Sequence, residues 1–106
     1  MKVEWNGEQF DSKKELDRYQ RLLEIQKIGG IRNLKRKVPF ILQPSFTLNG
    51  KFFSSIRYLA DFVYEAPDKF GNVIKVVEDV HGFKTEADDM GRKLFARVYG
   101  FEITEV

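Results

Sequence analysis

Two apolar runs carry acids where strands ordinarily exclude them, and this constrains the chain more than any other feature. One reads Tyr58-Leu-Ala-Asp61-Phe-Val-Tyr64; the other reads Val73-Ile-Lys-Val-Val-Glu78-Asp79-Val-His81. Aromatic and β-branched residues favour central strands, and carboxylates are depleted there. A carboxylate that is buried must be paired or must hold a cation. The segment Pro67-Asp-Lys-Phe-Gly71-Asn72 between the runs reads as a turn, so the runs form a hairpin and bring Asp61 towards Asp79. Strand alternation places Asp79 and His81 on one face and Glu78 and Val80 on the other. An Asp-x-His pair beside Asp61 suits one hard divalent cation of the Mg²⁺ kind, which favours oxygen ligands. Such a cation activates water and neutralises a phosphodiester. On the residues alone the alternative stays open: the acids cap strand ends or pair with Arg57, Lys75 or Lys84.

The remaining segments supply the frame. Asn6-Gly7 lies between Val3-Glu-Trp5 and Glu8-Gln-Phe10 and signals a two-residue hairpin. Ser12-Lys-Lys-Glu15 reads as a capping box that opens a helix. Leu16, Tyr19, Leu22, Leu23 and Ile28, with Ile25 on the flank, form its apolar stripe, and Gly29-Gly30 ends it. A long strand follows from Ile31 to Leu42, with Pro39 marking an edge or a bulge. Residues 43–55 read as a loop with a turn at Asn49-Gly50. Strands are expected over Arg57–Glu65 and Val73–His81. Thr85 caps a helix over Glu86–Tyr99 whose core face is Met90, Leu94, Phe95 and Val98. A last short strand spans Phe101–Val106. The order is hairpin-α-β-β-β-α-β, a single α/β domain over residues 1–106 with a central mixed sheet flanked by helices.

Composition narrows the chemistry. The chain of 106 residues has no Cys and one His, which excludes disulfides, thiolate zinc, a Cys nucleophile and any two-histidine mechanism. No apolar run approaches the roughly 18 residues of a membrane span, and the N-terminus lacks the apolar stretch of a signal peptide. A soluble, cytoplasmic protein without an organic cofactor is expected. Residues 1–57 carry 12 basic and 6 acidic side chains; residues 58–106 carry 6 basic and 10 acidic. A basic segment beside an acidic one suits a protein that grips a polyanion and holds a cation.

Phe10-Asp-Ser-Lys-Lys-Glu15, Tyr58-Leu-Ala-Asp61-Phe-Val-Tyr64 and Val77-Glu-Asp-Val-His-Gly82, taken in this order and spacing, resemble the PD-(D/E)XK nuclease superfamily. More closely, the chain resembles a family of small uncharacterised phage and prophage proteins placed in that superfamily. In plan it is similar to phage Holliday-junction resolvases and to the endonuclease subunit of some transposases. The resemblance implies a restriction-endonuclease-like fold and a Mg²⁺-dependent endodeoxyribonuclease, with Mn²⁺ able to substitute, acting on branched or structured DNA in a bacterial host. It assigns the metal to Asp61 and Asp79, adds the Val80 backbone carbonyl as a ligand, and leaves Glu78 as the fallback if the register slips by one. Glu15 corresponds to a helix-borne acid that assists metal or water; its capping-box role is the alternative. His81 stands where the superfamily usually has Lys. An imidazole exchanges a proton near neutral pH but supplies no permanent charge; the alternatives are that Lys84 or Lys93 supplies that charge from elsewhere, or that activity is weak or lost.

Phosphate contact is a separate expectation. Arg32, Lys35, Arg36 and Lys37 form a basic run, with Lys13, Lys14 and Arg18 near in sequence and Lys84 beside the acids. Such clusters neutralise phosphates without reading bases. The competing readings are a nuclease-fold DNA-binding module without chemistry, and a phage structural or interaction protein. A homodimer would fit paired cuts.

Overall fold

The structure, a computed structural model, describes residues 1–106. β1 (Val3–Trp5) and β2 (Glu8–Phe10) form the expected hairpin. Asn6 and Gly7 both take positive φ, 53° and 81°, as a two-residue hairpin turn requires. α1 (Lys13–Lys27) follows, and the Ser12 hydroxyl accepts the Glu15 N–H at 3.1 Å. β3 (Arg32–Gln43), β6 (Ile56–Pro67) and β7 (Val73–Asp79) pair antiparallel in the order β3-β6-β7, and β8 (Thr104–Glu105) joins β7 in parallel. The sheet is therefore mixed, with β6 inside it and Pro39 on the outer strand β3. α2 (Glu86–Tyr99) begins at Thr85, where Thr85 and Asp88 form a reciprocal capping box.

Each helix covers its own apolar cluster. Leu22 and Ile31 pack with Phe62, Tyr64 and Val80 on the α1 side. Phe95 of α2 packs with Leu42, Ala60, Val63, Val77 and Ile103. The strands change allegiance between the two. Leu34 belongs with the α1 cluster, whereas Val38, Phe40 and Leu42 belong with the α2 cluster. On β6, Phe62 and Tyr64 face α1, whereas Tyr58 and Ala60 pack on the α2 side. An unbroken period-two strand cannot do this. The break falls at Lys37, whose φ is 52°, and at Asp61 across from it.

Several expectations are corrected. The loop over residues 43–55 contains a second hairpin, β4 (Phe46–Leu48) and β5 (Lys51–Phe53), closed by Asn49-Gly50. Both turn residues have positive φ, 52° and 75°, and that twist pairs their flanks. The final strand shrinks to two residues. β7 stops at Asp79, so His81 lies in the bend beyond it. Ile28 leaves the α1 stripe: it is the C-cap and is 84% exposed. Of the expected α2 core face only Phe95 is buried, and Met90, Leu94 and Val98 are exposed. Phe95 meets the rings of Phe40, Tyr58, Tyr99 and Phe101, and one large ring fills the contact that four side chains were expected to share.

Candidate metal centre

The hairpin of β6 and β7 sets the centre. Phe62 pairs with Glu78, so the same register continued by one residue puts Asp61 opposite Asp79. Donor atoms of Asp61, Asp79 and His81 all lie within 4.8 Å of one another. A second group, Asp11, Glu15 and His81, meets the same spacing and shares the imidazole. Glu15 comes from the first turn of α1 and is wholly buried; Asp61 is 5% exposed.

Buried carboxylates need donors, and each here has them. Asp61 Oδ1 accepts from Lys37 Nζ at 3.0 Å, and Oδ2 accepts the Val80 N–H at 2.8 Å. His81 Nδ1 lies 3.1 Å from the same Oδ2. Asp79 Oδ1 accepts the N–H groups of His81 and Gly82, both at 2.9 Å, and Oδ2 accepts the Tyr58 hydroxyl at 2.9 Å. A carboxylate offers about four lone-pair sites. Asp61 Oδ1 and Asp79 Oδ2 each carry one donor and so keep capacity for a further ligand. Hard, anionic oxygens with spare lone pairs, beside an imidazole, fit a divalent cation of the Mg²⁺ or Mn²⁺ type.

Lys37 is the residue that sequence reasoning placed elsewhere. Named for phosphate contact, it instead sends its ammonium into the acids: 2.8 Å to Asp11, 3.2 Å to Glu15 and 3.0 Å to Asp61. Burial opposes the charge, but the hydrogen bonds Lys37 donates to Asp11 and Asp61, with the charges of Asp61 and Glu15, outweigh it and hold Lys37 above the ordinary lysine range. The same contact draws the Asp11 carboxyl below its usual value. Tyr58 was not singled out either. Its hydroxyl is pushed up, first by burial and then by the adjacent Asp79 charge, so it remains a donor to that acid.

The capping-box reading of Glu15 holds by half. Ser12 caps the Glu15 N–H, but the Glu15 carboxylate turns to Arg36 at 3.2 Å and to Lys37 rather than back to the cap. Glu78 is not a fallback ligand. It is 1% exposed, is held by Arg18 at 2.9 and 2.7 Å, and also accepts the Tyr64 hydroxyl. Strand alternation carries it to the α1 side, away from Asp61. For Val80, the group placed on Asp61 is its N–H. Lys93 is bound to Asp89 at 3.0 Å on α2 and supplies no charge to the acids.

The basic residues divide into two sets. Lys13, Arg18, Arg32, Arg36 and Lys37 are ion-paired with Asp17, Glu78, Glu65, Glu15 and Asp61 respectively, among other partners. Arg36 also lies over the Phe10 ring, 3.8 Å from its centroid. The ammonium groups of Lys14, Lys35 and Lys84 make no ion pair, although the Lys84 backbone N–H donates to Asp88 at 3.2 Å. Lys14 and Lys84 line one cavity of about 430 Å³ together with Ser12, His81 and Gly82. Free cations thus stand at the side of the centre on which His81 is exposed.

The profile of a family described as "Protein of unknown function (DUF1064)" matches residues 1–104. The chain belongs to that family. No curated protein and no solved structure matches this DUF1064 chain. No helix is long and apolar enough to cross a membrane.

Proposed function

We propose that the protein is a Mg²⁺-dependent endodeoxyribonuclease of the PD-(D/E)XK type, with a restriction-endonuclease-like fold, hydrolysing phosphodiester bonds in branched or structured DNA. The observation that carries this reading is the meeting of Asp61, Asp79 and His81 within 4.8 Å, with two carboxylate oxygens of unspent acceptor capacity. Asp61 and Asp79 would hold the cation. When bound, it supplies the charge neutralisation and Lewis acidity that phosphodiester hydrolysis needs.

The chain's own residues account for the other requirements. Asp61 Oδ2 accepts from His81 Nδ1–H and fixes that tautomer, which leaves Nε2 as the basic nitrogen. Nε2 lies 3.5 Å from Glu15 Oε2 and in this reading takes the proton from the attacking water. Ser12 Oγ lies 3.5 Å from Nε2 and steadies the ring. Tyr58 and the N–H groups of His81 and Gly82 lock the Asp79 carboxylate in place. Lys37 supplies the permanent positive charge that the imidazole cannot, from β3 rather than from the position of His81. Glu15 positions that ammonium. Lys14 and Lys84 hold flanking phosphates as point charges.

The direct test is cleavage of plasmid, linear duplex and four-way-junction DNA in Mg²⁺ or Mn²⁺. Wild type should cut, and Asp61→Ala should lose at least about a hundredfold, as loss of a charge-stabilising group does. Equal cleavage by the two proteins would sink the site.

One observation favours a second reading, a DNA-binding module without chemistry. The Arg36 guanidinium and the Lys37 ammonium already face Glu15 and Asp61, so two positive charges meet these two acids without a divalent cation. Junction binding that is insensitive to Mg²⁺ and unaccompanied by cleavage would select this reading.

A further inference from the structure

A cavity of about 340 Å³ opens beside Asp79, between the β3–β6 pair and α2. Leu42, Ile56, Leu59, Phe83, Met90 and Leu94 make its walls. Leu59, Met90 and Leu94 are 56%, 59% and 37% exposed; these large apolar side chains are left in the open although α2 has a core to bury them in. Tyr58 and Asp79 also line this cavity, and their 2.9 Å hydrogen bond ties it to the metal centre. Arg57, exposed and without a carboxylate partner, lines it too. Apolar walls, the rings of Tyr58 and Phe83, and one cation unpaired by Asp79 or Asp88 of the same lining stand at the edge of a phosphodiester site and complement a single nucleotide: flat apolar base, anionic phosphate.

Resting on the nuclease reading, we infer that this cavity takes one unpaired nucleobase next to the scissile phosphate, with Arg57 on the neighbouring phosphate. A duplex hides base faces in its stack, so a site that takes a base must meet it unpaired or extruded. Base faces stack on aromatic and apolar walls with little regard to identity. The cavity thereby selects DNA containing an unpaired nucleotide, such as a branch point, flap or bulge, and does so by structure rather than by sequence.

The test separates this inference from the chemistry. Two dye-labelled duplexes are compared by fluorescence anisotropy in Ca²⁺, one with a single bulged adenine and one with an abasic site at the same bulge. Wild type should bind the base-bearing bulge at least about fivefold more tightly, the lower end of the contribution of one stacked base. Gly91→Phe should erase the difference. Gly91 lines the cavity, and a Cβ there meets nothing within 4 Å, so the ring enters open space. Leu59→Glu, at an exposed strand position, serves if Gly91→Phe does not fold. Equal affinities in wild type, or a preference that survives both variants, would overturn the inference. So would binding of 8-anilinonaphthalene-1-sulfonate that Gly91→Phe removes while both DNAs bind alike, since the cavity would then belong to an apolar partner. Base preference without Mg²⁺-dependent cleavage keeps the cavity and removes the nuclease; cleavage without base preference does the reverse.

Discussion

Lys37 stands directly across the β3–β6 pair from Asp61, and its ammonium touches the carboxylate at 3.0 Å. The register fixes this, because Arg36 pairs with Phe62 and Val38 with Ala60. Lys37 has a positive φ of 52°, a conformation that costs a non-glycine residue free energy unless its surroundings enforce it. Three carboxylates around one ammonium are that enforcement. The cost has a structural return: the break lets both strands pass from the α1 cluster to the α2 cluster at the point where the acids meet.

This arrangement separates two roles of Lys37. If its charge serves the reaction, Lys37→Met should lower Mg²⁺-dependent cleavage by about 10²–10³-fold. Mn²⁺ binding by the same variant, measured by calorimetry, should tighten, because a cation competing for Asp61 has been removed. Cleavage and Mn²⁺ binding falling together would mean that Lys37 only maintains the fold.

The Asp11–Lys37 pair carries a pH signature. Asp11 is drawn below its unfolded value of 3.8, and Lys37 is raised above its unfolded value of 10.5. The acid contributes stability above pH 3.8, and that contribution is lost as pH falls through its lower folded value. The lysine contributes below pH 10.5 and loses its part as pH rises through its higher folded value. A double-mutant cycle of Asp11→Asn and Lys37→Met, read as melting temperatures, should therefore give a constant coupling between those limits. It should decline in acid first. A coupling that grows as pH falls below 3.8 would contradict the pairing.

Glu78 illustrates what the residues announced and what they concealed. An acid in the apolar run Val73–Asp79 was legible as a group needing a partner. The partner, Arg18 on α1, was not, because nothing local sets the angle at which a helix crosses a sheet. The same limit hid Lys37. Its place in the basic run suggested phosphate, whereas its neighbour is fixed by a strand register sixty-one residues into the chain, at Asp61. The elements themselves were readable, since caps, glycines and Asn-Gly turns act locally: Ser12, Gly29, Thr85 and Asn6-Gly7 all mark real boundaries. The α2 face misled because a helical stripe records which side chains are apolar, not whether the sheet is wide enough to cover them. Met90 and Leu94 belong to a cavity, and periodicity cannot separate that from a core.

Removing the partner of Glu78 should be costly. The carboxylate is 1% exposed, and Arg18→Met leaves it with the Tyr64 hydroxyl alone. Breaking a buried pair from one side costs about 3–5 kcal/mol, a large share of the ~5–15 kcal/mol typical of a domain. Arg18→Met/Glu78→Met removes both charges and should recover much of the loss. Urea unfolding measures both. A cost below about 1 kcal/mol for Arg18→Met would mean that water reaches Glu78.

His81 gives the cleanest contrast with Lys37. His81→Ala should reduce cleavage by about 10²–10⁴-fold, the range for loss of a general base. His81→Lys should not raise activity above wild type, because Lys37 already places an ammonium on Asp61. Initial rates on the same DNA decide this. A gain in His81→Lys would show that the centre lacks the charge here assigned to Lys37.

The division of basic residues into paired and free sets predicts a salt response. Each cation that neutralises a phosphate adds about 0.9 to the slope of log affinity against log salt on duplex DNA. Lys14 and Lys84 are free and border the His81 cavity, so Lys14→Ala and Lys84→Ala should each flatten the slope by about 0.9. Lys13 and Arg32 are already bound to Asp17 and Glu65 at 3.2 and 2.8 Å. Lys13→Ala and Arg32→Ala should leave the slope nearly unchanged. Anisotropy titrations across a range of KCl concentrations test all four variants. Equal flattening by the paired and free sets would mean that DNA displaces the surface ion pairs and that the basic run of β3, rather than the His81 cavity, carries the phosphate backbone.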